Sequence, residues 1–122
     1  MDAITLHKHS LVCDAHCDTL LDVLAGKRRL REKGESGQID LPRLHEGHVT
    51  GQVFAIWTPP ARYADATRYA LEAIDAFHRE VDANDDFRLA TTAAGLDAAL
   101  AEDAIAGILS FEGAEPLAGS LP

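Results

Sequence analysis

Ala104-Ile105-Ala106-Gly107-Ile108-Leu109-Ser110-Phe111-Glu112-Gly113 is an apolar run that stops at an acid. It is continuous rather than alternating, as a strand covered on both faces requires, and such strands belong to parallel sheets. Ligands bind open parallel sheets beyond the carboxyl ends of the strands. Glu112 stands at such an end, and Gly113 lets the backbone depart sharply and leaves space above it. Alone, Glu112 reads equally well as a solvated loop carboxylate.

Two further runs fit the same sheet. Leu11 to Cys17 reads as the first strand and Gly51 to Thr58 as the second, which makes Ala104 to Phe111 the third. Helical patterns lie between them. Thr19 to Ala25 carries Leu20, Leu21, Val23 and Leu24 and stops at Gly26, before the loop from Lys27 to Gly37. The longest pattern runs from Ala61 to Ala83, with Tyr63, Ala66, Tyr69, Ala70, Ala73, Ile74, Phe77 and Val81 at intervals of three and four. Pro59-Pro60 sets its start and Asn84-Asp85-Asp86 its end. A last helix spans Thr92 or Ala93 to Glu102, capped by Thr91 or Thr92, with Leu96 and Leu100 inward.

Strands alternating with such helices predict an α/β fold with a parallel sheet. A closed (β/α)8 TIM barrel has eight strands and typically about 250 residues. The 122 residues, with about three strands, therefore read as one incomplete domain, residues 1–122, the amino-terminal part of a barrel. The alternative is a complete small α/β domain. The stretch Pro116 to Pro122 brings no amphipathic helix over the third strand, whose edge is expected to be open to pairing with other chains.

In Leu11-Val12-Cys13-Asp14-Ala15-His16-Cys17-Asp18, a His-x-Asp pair ends the first strand. Alternation sends His16 and Asp18 into one space and turns Cys13, Ala15 and Cys17 the other way. An imidazole with carboxylates suits Zn²⁺ and related divalent ions. Two strand ends bearing His16, Asp18 and Glu112 in one short chain point to a metal site. The plainer reading of the first strand is a polar end with a hydrogen-bonded histidine. Asp14, on the inward face by parity, either orients a ligand or caps the turn through backbone amides. His7 and His9 flank Lys8 in a short surface helix, and His45 and His48 flank Gly47 in a turn. His78 is expected to pack at the edge of the long helix's stripe. A zinc finger through Cys13, His16 and Cys17 is opposed by strand parity and by the lack of a second Cys/His pair at finger spacing. A Cys13–Cys17 disulfide is opposed by the span of about 13 Å across four extended residues.

These residues carry a resemblance. Asp14-Ala15-His16-Cys17-Asp18 is similar to the Asp-Gly-His-Asn-Asp segment of the membrane dipeptidase (renal dipeptidase) family, peptidase family M19. Asp40 to Trp57 resembles that family's Pro-x-Leu-x-x-Gly-x-Val-Gly-x-Gln-Phe-Trp-Ser stretch, and Phe111-Glu112-Gly113-Ala114 its Glu-Gly-Gly segment. The resemblance implies a metal-dependent (β/α)8 barrel with two zinc ions that cleaves dipeptides by a metal-bridging hydroxide. It implies that His16 and Asp18 bind one zinc and that Glu112, a catalytic residue, bridges both. The other ligands and proton-transfer groups would come from later strands, so these 122 residues alone are expected to be inactive. Cys17 stands where Asn is common, and Ala114 replaces the second glycine, which bears on the loop over the site.

The remaining composition narrows the partners. A net charge of −9 with no basic stripe argues against nucleic acid. The single basic cluster, Lys27-Arg28-Arg29-Leu30-Arg31, reads as a solvated loop. No run approaches the roughly 20 apolar residues of a membrane span and no apolar leader opens the chain, so a cytoplasmic protein is expected. A dipeptide or related small molecule is the expected partner, with a homodimer as the candidate assembly. Two other functions fit: an amidohydrolase or lactonase on the same barrel type, and a noncatalytic metal-binding module.

Overall fold

Phe54, Phe77 and Phe87 meet edge to face, with ring centroids 5.4 to 5.7 Å apart, and the sheet is assembled around them. The computed structural model describes residues 1–119. Ser120, Leu121 and Pro122, part of the closing stretch read above, lie outside the described residues. In order, the elements are α1 (Ala3–Lys8), β1 (Cys13–Cys17), α2 (Thr19–Leu24), α3 (Leu41–Glu46) and β2 (Gly51–Trp57). A 3-10 turn (Pro60–Asp65), α4 (Ala66–Asp82), β3 (Phe87–Leu89), α5 (Ala93–Ala101), β4 (Ile105–Glu112) and a second 3-10 turn (Glu115–Leu117) follow. The strands form one sheet in the order β1-β2-β4-β3, and every pairing is parallel. The fold is therefore α/β with a parallel sheet, as expected. No helix among the described residues is long and apolar enough to cross a membrane.

Local chemistry sets the helix ends. Thr92 Oγ1 accepts from the Gly95 amide at 3.0 Å and starts α5. Gly26, at φ 69°, follows the end of α2 in the left-handed region that glycine tolerates. Asp40 starts α3 by accepting from the Arg43 amide at 3.0 Å, with Pro42 in the first turn. His45, expected in a turn around Gly47, lies in the last turn of this helix, whose start signal is Asp40-Leu41-Pro42. The long helix begins five residues later than its periodicity suggests, because Asp65 leaves helical dihedrals at φ −131°. Tyr63, ahead of that break, is 51% exposed, and His78 is also exposed rather than packed.

Among the described residues there are four strands rather than three. Phe87-Arg88-Leu89 is three residues long with an arginine at its centre, too short for periodicity to show. It pairs with Ile105 to Gly107, so β4 is an inner strand whose first three residues are covered, not an open edge. The basic cluster is also not a solvated loop. Arg28 reaches the fully buried Asp40 at 3.3 Å, Arg29 reaches the buried Glu80 at 2.7 Å, and Leu30 is 1% exposed. Arg31 stays outside beside Glu32.

Gly107 lets the aromatic trio rest against the sheet. A Cβ there would lie 2.5 Å from Phe87 Cζ and 2.7 Å from Phe77 Cζ, closer than carbon atoms pack. Gly107→Ala is expected to cost about 1–3 kcal/mol by overpacking, read as a fall in thermal midpoint. An unchanged midpoint would mean that the rings move aside freely.

Candidate metal centre

Strand alternation alone does not build the site. Asp14 pairs with Gln52 and Cys17 with Phe54, so β1 uses three steps where β2 uses two. The extra residue is a bulge around Ala15 and His16, a feature that re-aims side chains beside functional sites. It also separates the cysteines. Cys13 Sγ lies 3.1 Å from where a Gly51 Cβ would stand, whereas Cys17 is buried in the core with Leu20 and Phe54. The parity reading that put Cys13 and Cys17 on one face is thus corrected, because alternation cannot see a bulge. Both thiols are free, and burial pushes the Cys17 thiol above its ordinary range.

Asp14 uses its carboxylate on the backbone, accepting from the His16 amide at 3.2 Å. That is the turn-capping alternative, and it holds the bulge on which the imidazole is mounted. Asp18 does the opposite. It is the N-cap of α2, where an aspartate ordinarily bonds the exposed amides, yet its side chain makes no cap bond. Its Oδ1 lies instead 3.4 Å from His16 Nε2. A carboxylate that leaves its local partners and turns to an imidazole is placed for something other than helix stability.

Glu112, the last residue of β4, completes the group, with Oε2 3.3 Å from His16 Nε2. β2 lies between β1 and β4, so these side chains meet across two strand spacings, about 10 Å. Gly113, at φ 93°, turns the chain away directly behind Glu112. Ala114 has φ −110°, ordinary for an L residue, so alanine in place of the second glycine brings no backbone strain.

One donor atom from each of His16, Asp18 and Glu112 lies within 4.8 Å of the others, and all three residues are about half exposed. Two unit negative charges at such a separation repel by about 1 kcal/mol even in water, so the cluster favours a cation between them. One imidazole nitrogen and carboxylate oxygens suit a divalent transition ion, zinc above all, and the donor set fits. His16, Asp18 and Glu112 line none of the main cavities among the described residues, although Phe111, Gly113 and Ala114 on either side of Glu112 line the one beside α4. One of about 310 Å³ at the amino ends of the strands is lined by His9, His45, His48 and Asp103, and one of about 300 Å³ lies beside α4. The other histidines are occupied differently. His45 meets Asp86 at 2.8 Å, His7 meets the Gly47 carbonyl at 2.8 Å, and the rings of His7 and His48 stack edge to face.

A parallel α/β sheet with an imidazole and two carboxylates gathered beyond its carboxyl ends has the arrangement of a metal-dependent hydrolase. The sequence model of Membrane dipeptidase (Peptidase family M19) matches residues 1–122, and the chain belongs to that family. It is 32% identical over 94 residues to the dipeptidase ataJ of Aspergillus terreus, covering 69% of this chain and 23% of that protein. A crystal structure of an M19 metallopeptidase, dipeptidase AC, superposes at a TM-score of 0.76 and 30% identity, over 87% of this chain and 36% of that one. A metallopeptidase of Rhodobacter sphaeroides, solved with a phosphinate mimic of the dipeptide L-Ala-D-Ala, gives 0.76 at 26% identity, over 87% and 39%. The fold alone is shared with the probable dipeptidase PvdM of Pseudomonas aeruginosa, with a TM-score of 0.78 at 20% identity over 94% and 31%. The chain therefore spans 23% of the length of the first relative and 36% of the first solved one.

Proposed function

We propose that the whole protein hydrolyses dipeptides at a zinc centre to which this chain contributes His16, Asp18 and Glu112. The observation that carries the reading is the convergence of these three donors, reinforced by an N-cap aspartate that leaves its helix uncapped. Zinc held here would polarise the scissile carbonyl and activate water. His16 offers Nε2 and Asp18 a carboxylate oxygen, while Asp14 fixes the His16 backbone. Glu112 has two oxygens, the number needed to serve two cations at once. Membership of a metallopeptidase family supports the same reaction class. These 122 residues supply three of the donors, so alone they are expected to cleave no dipeptide.

Metal analysis of the whole protein tests the ligand assignment. His16→Ala is expected to remove about one equivalent of zinc and most dipeptide turnover, whereas His45→Ala removes neither. Full zinc content in His16→Ala would refute the assignment. Dipeptide cleavage by the 122 residues alone would refute the dependence on donors beyond them.

A further inference from the structure

Trp57 is the chain's single tryptophan, and among the described residues it belongs to neither of the two apolar clusters. Alternation along β2 explains this. Phe54 and Ile56 enter the core cluster that contains Phe77 of α4, so Ala55 and Trp57 point to the opposite face. The in-register partner of Trp57 is Glu112, and parallel partners share a face. β2 is also the strand across which Glu112 reaches His16. Trp57 therefore stands half-buried at the carboxyl end of the sheet, beside the point where the candidate ligands meet. An indole is a large, flat apolar surface with few rotatable bonds, suited to receive a ligand's apolar group at small entropic cost.

We infer that Trp57 is a specificity-determining residue of this site, its ring receiving an apolar side chain of the dipeptide substrate. The inference rests on the dipeptidase reading. It predicts preference for dipeptides bearing Leu, Met or Phe over those bearing Gly or an acidic residue. A pocket contact of this kind typically discriminates by about 10- to 200-fold.

The test uses the zinc-loaded whole protein with Trp57→Ala and Trp57→Phe. For Leu-Ala and Phe-Ala, Trp57→Ala is expected to lower kcat/KM about tenfold or more, mainly through KM, with zinc content unchanged. Gly-Gly should be nearly unaffected, and Trp57→Phe should restore most of the loss. Equal losses on every dipeptide, or loss of zinc, would overturn the inference by making Trp57 a structural support. A second arm follows the emission present in wild type and absent in Trp57→Phe as dipeptides bind. Apolar dipeptides should perturb it and Gly-Gly should not. If the wild type cleaves no dipeptide, the functional reading fails, and the emission still decides the place of Trp57. A response to apolar dipeptides upholds that place, and no response overturns it.

Discussion

Replacing Glu112 with Gln is expected to lower dipeptide turnover by the whole protein about a hundredfold or more, roughly 3 kcal/mol of transition-state stabilisation. The substitution keeps size and one acceptor oxygen but removes the negative charge that would offset bound cations. Glu112→Asp keeps the charge and shortens the reach by one methylene, and because His16 lies 3.3 Å away across an intervening strand, a comparable loss is expected. Folding should survive both changes, since the residue is half exposed at a strand end. Steady-state rates alongside metal content read the effect. A Glu112→Gln protein with near-normal turnover and full metal content would make Glu112 a solvated acid.

The second large effect is on stability and lies away from the site. Asp40 is fully buried and accepts from the amides of Arg43 and Gly34, at 3.0 and 3.2 Å, and from the guanidinium groups of Arg28 and Arg43. Asp40→Ala removes the cap of α3 and leaves Arg28, whose side chain is 9% exposed, with an uncompensated charge. Breaking a buried pair from one side costs about 3–5 kcal/mol. Whole domains hold about 5–15 kcal/mol, so the loss should take a large share of that margin and lower the thermal midpoint markedly. Asp18→Ala is the contrasting control. No cap bond is lost there, so circular dichroism of the metal-free proteins should show a near-normal thermal midpoint, while about one equivalent of zinc is lost on loading. An Asp40→Ala protein as stable as the wild type would mean that water readily replaces the carboxylate.

The parallel sheet was legible because β2 and β4 are continuous apolar runs bounded by turn residues. The α5 start was legible because Thr92 is a cap residue ahead of a helical pattern. His16, Asp18 and Glu112 could be picked out because unlike ligand types recur at strand ends. Other features depend on tertiary pairing. β3 is too short to have a period and exists through its ladder with Ile105 to Gly107. The β1 bulge shows only in register against β2, so parity placed Cys13 on the wrong face. The inward turn of Arg28 and the pairing of the exposed Arg29 depend on buried acids 12 and 51 positions further along, Asp40 and Glu80, which no local pattern connects to them. Trp57 could have been found from alternation: counting outward from the buried Phe54 puts it on the ligand face.

The most direct test of the central claim is anomalous X-ray diffraction at the zinc edge from crystals of the zinc-loaded whole protein. An anomalous peak is expected about 2.0–2.2 Å from His16 Nε2 and from carboxylate oxygens of Asp18 and Glu112. Zinc bound at other residues, with His16, Asp18 and Glu112 free of metal, would contradict it.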